Sequence, residues 1–385
     1  MADDWRNAGF GLYVHWPFCQ AKCPYCDFNS HVARKIDHSA WVRAYISELT
    51  RTASETQNRV LNTIYFGGGT PSLMDPDTTA AIIDTAKSLW PVANDLEITL
   101  EANPGSVEAG RFSGFYDAGV NRVSLGVQAL NDADLRRLGR IHTVLEAKTA
   151  LDIAQCCFDR VSFDLIYGRQ NQTLDGWKKE LKQAVTMSSG HISLYQLTIE
   201  DGTAFADRFA RGGLSGLPSE DLGADMYQTT LDICADHNLA AYEVSNFANP
   251  GSESRHNLIY WRYGDYVGIG PGAHGRITIN GKRYATECIS MPDKWLSAVN
   301  TGLAELPRQM LNPQDQANEY LMMGLRLTEG LDPVRYLALG GRELDRDKIN
   351  YLCDLEMLTF QNNKICATTQ GRLVLNAVIR ELLAG

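Results

Sequence analysis

Three of the nine cysteines fall within eight residues, as Cys19-Gln-Ala-Lys-Cys23-Pro-Tyr-Cys26. The other six (Cys156, Cys157, Cys234, Cys288, Cys353, Cys366) are scattered. At this cysteine frequency the spacing arises by chance roughly half a percent of the time. An odd cysteine count in a chain with no secretory signal argues against a disulfide framework. A structural zinc site takes four closed ligands. Three thiolates with no fourth nearby suit an iron–sulfur cluster, here a 4Fe–4S cluster that keeps one iron free to chelate a small molecule.

Other polar residues fall at or near the ends of apolar runs. Phe66-Gly67-Gly68-Gly69-Thr70-Pro71 offers exposed backbone N–H and C=O groups to a polar ligand. Taken alone it is only a tight turn. Glu101 closes a third run and can accept from hydroxyl groups; Gln128 closes a fourth and Asp164 lies in a fifth, with Arg140 in a loop after a helix. Arg255-His256-Asn257-Leu258-Ile259-Tyr260-Trp261 is a different kind of cluster. Histidine is a common axial ligand of haem iron, and Tyr and Trp supply flat apolar area for a porphyrin face. A lone histidine among aromatics is otherwise a core imidazole. His274 is a secondary candidate ligand; His15 and His31 flank the cysteines, and Cys156-Cys157 reads as packing at a helix end.

These residues must be positioned by a repeated unit. β-type runs at Gly11–Phe18, Asn62–Phe66, Leu96–Glu101, Arg122–Val127, Val161–Ile166 and Ile192–Leu197 are bounded by Gly, Pro or Asn. Helical spacing of apolar residues fills the gaps, at His38–Thr56, Pro76–Leu89, Val107–Ala118, Val144–Cys156 and Leu174–Met187. Six strand–helix repeats call for parallel strands with right-handed crossovers, in either a doubly wound sheet or a barrel. Further on, the pattern predicts a helix at Asp221–Asn238 and a strand at Ala241–Asn246. After about residue 300 the texture changes. Helices are predicted at Gln314–Leu327 and Asp345–Leu355, a hairpin at Met357–Thr368 around Asn362-Asn363, and a last helix at Gln370–Leu383.

Cys-x3-Cys-x2-Cys after a first strand resembles the radical S-adenosylmethionine (SAM) superfamily. There the unique iron binds the amino and carboxylate groups of SAM, and the reduced cluster cleaves SAM to a deoxyadenosyl radical. The resemblance implies an α/β fold, a partial (β/α)6 barrel with a small C-terminal winged-helix-like domain. We place the barrel in residues 1–300, with the haem-motif segment 254–275, and the small domain in 301–385. Tyr13-Val-His-Trp-Pro-Phe-Cys19 further resembles the oxygen-independent coproporphyrinogen III oxidase group. By that resemblance Tyr13, Gly68 and Glu101 contact the cluster-bound SAM. Tyr25, Gly69, Thr70, Gln128, Arg140 and Asp164 match positions assigned there to a second SAM.

Two departures put the oxidase reaction in doubt. Phe28 stands where the oxidase has a fourth cysteine, and twelve residues precede Tyr13 where the oxidase carries a longer segment. Both features resemble the HemW-type haem chaperones, as does His256-Asn257-x-x-Tyr260-Trp261. That resemblance implies haem binding by His256, Asn257, Tyr260 and Trp261. It also implies delivery to apo-haemoproteins such as respiratory enzymes, with homodimer formation. Radical decarboxylation of coproporphyrinogen III is the alternative.

Composition bounds these readings. Hydrophobic residues make up 44% and charged residues 21%, ordinary globular usage that excludes disorder. The formal net charge of −10 disfavours nucleic acid as a partner, and the C-terminal helix carries no basic cluster. No apolar run approaches the ~20 residues of a membrane span. We therefore expect a soluble cytoplasmic protein with at most peripheral membrane association.

Overall fold

The structure, a computed structural model, describes residues 3–33, 35–106, 109–302, 304–340 and 342–383. Six strands run parallel: β1 (Phe10–Trp16), β2 (Leu61–Gly68), β3 (Val92–Ala102), β4 (Arg122–Gln128), β5 (Arg160–Tyr167) and β6 (His191–Gln196). Helices His38–Glu55, Pro76–Leu89, Ala109–Asp117, Val144–Cys157 and Leu174–Met187 make the crossovers. Val107, where the third of these was expected to begin, lies outside the described residues. Helix starts are set by local chemistry. Asp37 and Thr173 accept from Ala40 and Gly176 N–H groups, and Thr143 forms a capping box with Glu146.

Successive strand residues point to opposite faces. On β1, Leu12, Val14 and Trp16 pack outward into the core beneath the helices, among them Trp41, Ile82, Leu151 and Trp177. The other row faces inward, and there the sequence is polar: Tyr13 and His15, Thr63 and Tyr65, Glu97 and Glu101, Arg122 and Ser124, Ser162 and Asp164, Ser193 and Tyr195. Parallel strands covered on both faces are ordinarily apolar throughout. A polar inner row therefore sets hydrogen-bonding and titratable groups inside the barrel.

The sheet extends beyond six strands. It is twelve-stranded and mixed, and β1 is not its edge. Strand Asp265–Ile269 pairs with β1 in parallel, and His274–Ile279, Lys282–Glu287 and Gln309–Met310 continue antiparallel. The added strand is fixed by a buried carboxylate: Asp265 accepts from Arg59 at 2.5 Å and Arg283 at 3.0 Å. At the far edge the single strand expected at Ala241–Asn246 is two short strands, Ala240–Ala241 and Asn246–Ala248, paired with each other. The Glu243 carboxylate accepts from the Ser245 N–H at 2.7 Å and turns the chain between them.

From Pro313 onward the chain has its own apolar core, including Leu321, Tyr336, Ile349, Leu352, Ile365 and Val378. Helices Pro313–Gly324 and Arg346–Asp354 and the hairpin Leu358–Gln361/Lys364–Ala367 follow the expected pattern. Asn362 and Asn363 both have positive φ, 50° and 62°, the backbone of a tight two-residue hairpin turn. Helix Pro333–Gly340 was not foreseen; Asp332 caps it through the Val334 N–H at 2.9 Å. The last helix is broken at Val374 into Thr369–Leu373 and Leu375–Leu383.

Candidate functional site

The cysteine loop covers the C-terminal end of the barrel. Its seat explains the three glycines. A Cβ on Gly67 would lie 2.9 Å from the Tyr13 ring, one on Gly68 2.6 Å from the His15 ring, and one on Gly69 2.7 Å from the Phe18 carbonyl oxygen. Gly68 also has φ +109°, which favours glycine. Gly139, at φ +70°, supports the loop from the other side, where a Cβ would meet Pro24 at 2.4 Å.

Each thiol of the loop has a hydroxyl or guanidinium partner. The Thr70 hydroxyl donates to Cys19 Sγ at 3.4 Å, and Arg140 Nη1 donates to Cys23 Sγ at 3.4 Å. Cys26 Sγ lies 4.0 Å from Ser30 Oγ. Burial pushes the Cys19 and Cys26 thiols up. Among the described residues no three His, Cys, Asp or Glu side chains converge as ligands of a single metal ion. Three half-buried thiols, each beside a donor, are the kind of ligand that an iron–sulfur cluster takes. Phe28 is 56% exposed beside them and supplies no fourth ligand.

The SAM candidates line the interior just below this loop. Glu101 Oε1 accepts from Tyr65 Oη at 2.7 Å, and the Gly68 backbone also bonds the carboxylate. Burial raises Glu101 to about 7, opposed by those hydrogen bonds and reinforced by Asp164. Burial likewise raises Asp164 to about 6, opposed by Ser193, Arg122 and Ser124. Tyr13 Oη is bonded to His15 Nδ1 at 2.9 Å, and His15 Nε2 to the Asn29 carbonyl of the cysteine loop at 2.9 Å. Gln128, at the end of β4, adopts φ +72°. Arg140 bridges the Gly126 carbonyl, Cys23 and Tyr25. Tyr195 faces the same space and keeps 41% of its surface open although protein surrounds it.

The residues expected to bind haem lie at the opposite, N-terminal end. They form helix Arg255–Trp261, whose first N–H groups meet a buried carboxylate. Glu97 accepts from the backbone N–H of Arg255 at 3.2 Å and His256 at 3.1 Å, and from Arg160 Nη1 at 2.6 Å. His256 projects into the barrel and is 1% exposed. Its Nδ1 is 2.6 Å from Thr63 Oγ1 and its Nε2 is 2.5 Å from Tyr260 Oη. The imidazole stacks on Tyr65 at 4.9 Å and 18°. Burial, with help from Arg122, lowers it to about 3, so it is neutral. Trp261 points elsewhere, beneath Arg326 of the C-terminal unit at 4.4 Å. Asn257 is half-buried in the first turn. The structure thus brings His256 and Tyr260 together, separates Trp261 from them, and leaves neither ring nitrogen of His256 free. His274 is exposed at the start of its strand, and His31 bonds the Asn29 side chain at 3.0 Å.

Sequence reasoning missed Tyr65, Glu97, Arg122 and Tyr195. Their signal was present: polar residues at alternate positions of strands that an all-parallel sheet would otherwise keep apolar.

No helix among the described residues is long and apolar enough to cross a membrane. The model of the radical SAM superfamily matches residues 13–184, and that of the HemN C-terminal domain matches 311–374. The Escherichia coli protein named heme chaperone HemW is 36% identical over 97% of this chain and 98% of its own. The Haemophilus influenzae protein of that name is 42% identical over 69% of this chain and 70% of its own. Bovine radical S-adenosyl methionine domain-containing protein 1, mitochondrial, is 39% identical over 97% of this chain and 87% of its own. Among solved structures, coproporphyrinogen III oxidase (HemN) from Escherichia coli superposes with a TM-score of 0.80 at 22% identity, over 98% of this chain and 90% of that one. That likeness is one of fold. The sequence relationships go further, and the chain belongs to the HemW-type group of the radical SAM superfamily.

Proposed function

We propose that this protein is a haem chaperone that also holds a 4Fe–4S cluster and SAM, and that hands haem to apo-haemoproteins from the cytoplasm. The observation that carries the reading is similarity along almost the whole chain to proteins named heme chaperone HemW. Phe28 in place of a fourth cysteine supports it against the oxidase.

In this reading Cys19, Cys23 and Cys26 hold the cluster. Thr70 and Arg140 stabilise the thiolate form by donating to sulfur. A cluster held there would supply, when reduced, the electron that SAM cleavage requires. Tyr13, Gly68 and Glu101 orient SAM beneath the loop, with Glu101 accepting from its ribose hydroxyls. Tyr25, Gly69, Thr70, Gln128, Arg140 and Asp164 line the adjacent space, where a second SAM is accommodated. Haem is taken by the Arg255–Trp261 helix. For His256 to ligate iron, its Nε2 would have to be released from Tyr260 and presented on a surface open to haem. Asn257, Tyr260 and Trp261 complete that surface. The cluster loop supports a homodimer, and contact with a membrane is peripheral.

Anaerobic haem titration followed by absorbance, alongside iron and sulfide analysis, tests this. Stoichiometric haem binding that weakens in His256→Ala is expected. Absence of haem binding, or sustained conversion of coproporphyrinogen III with reductant and SAM, overturns it.

A further inference from the structure

His256 closes the floor of the barrel, and the groups it touches lead upward to the SAM residues. Its ring stacks on Tyr65 at 4.9 Å and on Tyr13 at 6.5 Å. These two tyrosines stack on each other at 6.3 Å. Each then fixes a polar group higher in the barrel. Tyr65 Oη donates to Glu101. Tyr13 Oη bonds His15, which bonds the Asn29 carbonyl in the cysteine loop. Asn29 in turn donates through Nδ2 to the Pro271 and Ser290 carbonyls at 2.9 and 2.8 Å, which anchors the loop.

In this arrangement the ring is held on both sides. Thr63 Oγ1 and Tyr260 Oη hold its two nitrogens, and Tyr260 packs edge-on at 4.7 Å. Its helix is tied to β3 through Glu97. Gly11 leaves room for the imidazole: a Cβ there would lie 3.2 Å from Nδ1. A neutral, doubly bonded ring with no approach from solvent is built as a support.

We infer that His256 is a positioning residue for SAM: it holds the Tyr13–Tyr65 pair from below, and through them sets Glu101 and the cysteine loop. The inference rests on the assignment of SAM to Tyr13, Gly68 and Glu101. It assigns His256 a task in the haem-free protein, separate from any contact with haem. In a barrel a ring lost from the floor leaves a space into which the tyrosines tilt, because packed interiors transmit displacement. The Tyr65 hydroxyl then leaves Glu101, and an orienting hydrogen bond worth up to about tenfold in affinity goes with it.

The experiment measures SAM binding to anaerobically reconstituted protein without haem, by equilibrium dialysis. The electron paramagnetic resonance spectrum of the reduced cluster is recorded with and without SAM. His256→Ala is expected to bind SAM about tenfold more weakly and to show a smaller SAM-induced spectral change per cluster bound. Thr63→Val, which removes the Nδ1 partner at nearly constant volume, gives an intermediate loss and serves if His256→Ala does not fold. If the unaltered protein binds no SAM, the SAM assignment itself fails. If it binds SAM and both variants match it in affinity and spectrum, the positioning role is refuted while the assignment stands.

Discussion

Glu101 offers a measurement in which one buried carboxyl is read in stability and, on the proposed assignment, in SAM affinity. Burial among Tyr65, the Gly68 backbone, Asp164 and Arg122 holds it at about 7, against 4.5 for a free glutamate. The folded protein thus keeps this proton to about pH 7, whereas the unfolded chain releases it near 4.5. Stability contributed by the group is fully present below 4.5 and is lost as pH rises through 7. The displacement corresponds to about 3 kcal/mol at ~1.4 kcal/mol per pH unit. The interval from pH 5 to pH 8 leaves out the part already lost below pH 5, so about 2 kcal/mol of it is read there. Glu101→Gln keeps the size and a hydrogen-bonding oxygen but cannot ionise. Urea unfolding of both proteins at pH 5 and pH 8 reads the group together with its repulsion by Asp164, whose own titration is otherwise present in both. The variant is expected to gain about 2 kcal/mol on the unaltered protein between the two pH values. SAM affinity of the unaltered protein should rise over pH 6 to 8, as the carboxylate forms, and that of Glu101→Gln should not. Equal pH dependence of stability in the two proteins would refute the claim that Glu101 is desolvated in the barrel.

Two other substitutions test the architecture at the two ends of the barrel. Gly69→Ala places a methyl 2.7 Å from the Phe18 carbonyl oxygen; overpacking against backbone costs about 1–3 kcal/mol and shifts the cysteine loop. We expect iron retained after reconstitution to fall by about half or more while far-ultraviolet circular dichroism is unchanged, and full retention counts against this seating. Glu97→Ala strips Arg160 and two helix N–H groups of a buried partner, with an expected loss of about 3–5 kcal/mol in denaturant unfolding. A loss under about 1 kcal/mol would mean that water replaces the carboxylate and that the helix is not anchored there.

The parts of the molecule legible in the chain were those set by short-range rules. The cysteine spacing, the Gly67–Gly69 turn and the six strand–helix repeats each span few residues. The hairpin at Asn362-Asn363 was readable for the same reason: two residues that tolerate positive φ specify the turn. Helix Pro333–Gly340 is too short for its periodicity to show, and it ends on a glycine. The kink at Val374 is equally hard to read, since Gly371 lies three residues before it and no Pro or Gly stands at the break.

The sequence by itself determined which chemistry the chain carries: three thiols, a glycine turn, a carboxylate at a strand end, and a histidine among aromatics. Only the tertiary structure decided where that histidine points. Strand Asp265–Ile269 pairs with β1 more than two hundred residues away in the chain, and Glu97 ties down a helix 159 residues distant. Such pairings are chosen by sheet closure and by the partner a buried carboxylate must find, neither of which local spacing encodes. They turn His256 inward, beneath Tyr65 and Tyr13, so that a motif legible as a surface for haem also forms the floor of the site that the cysteines cover.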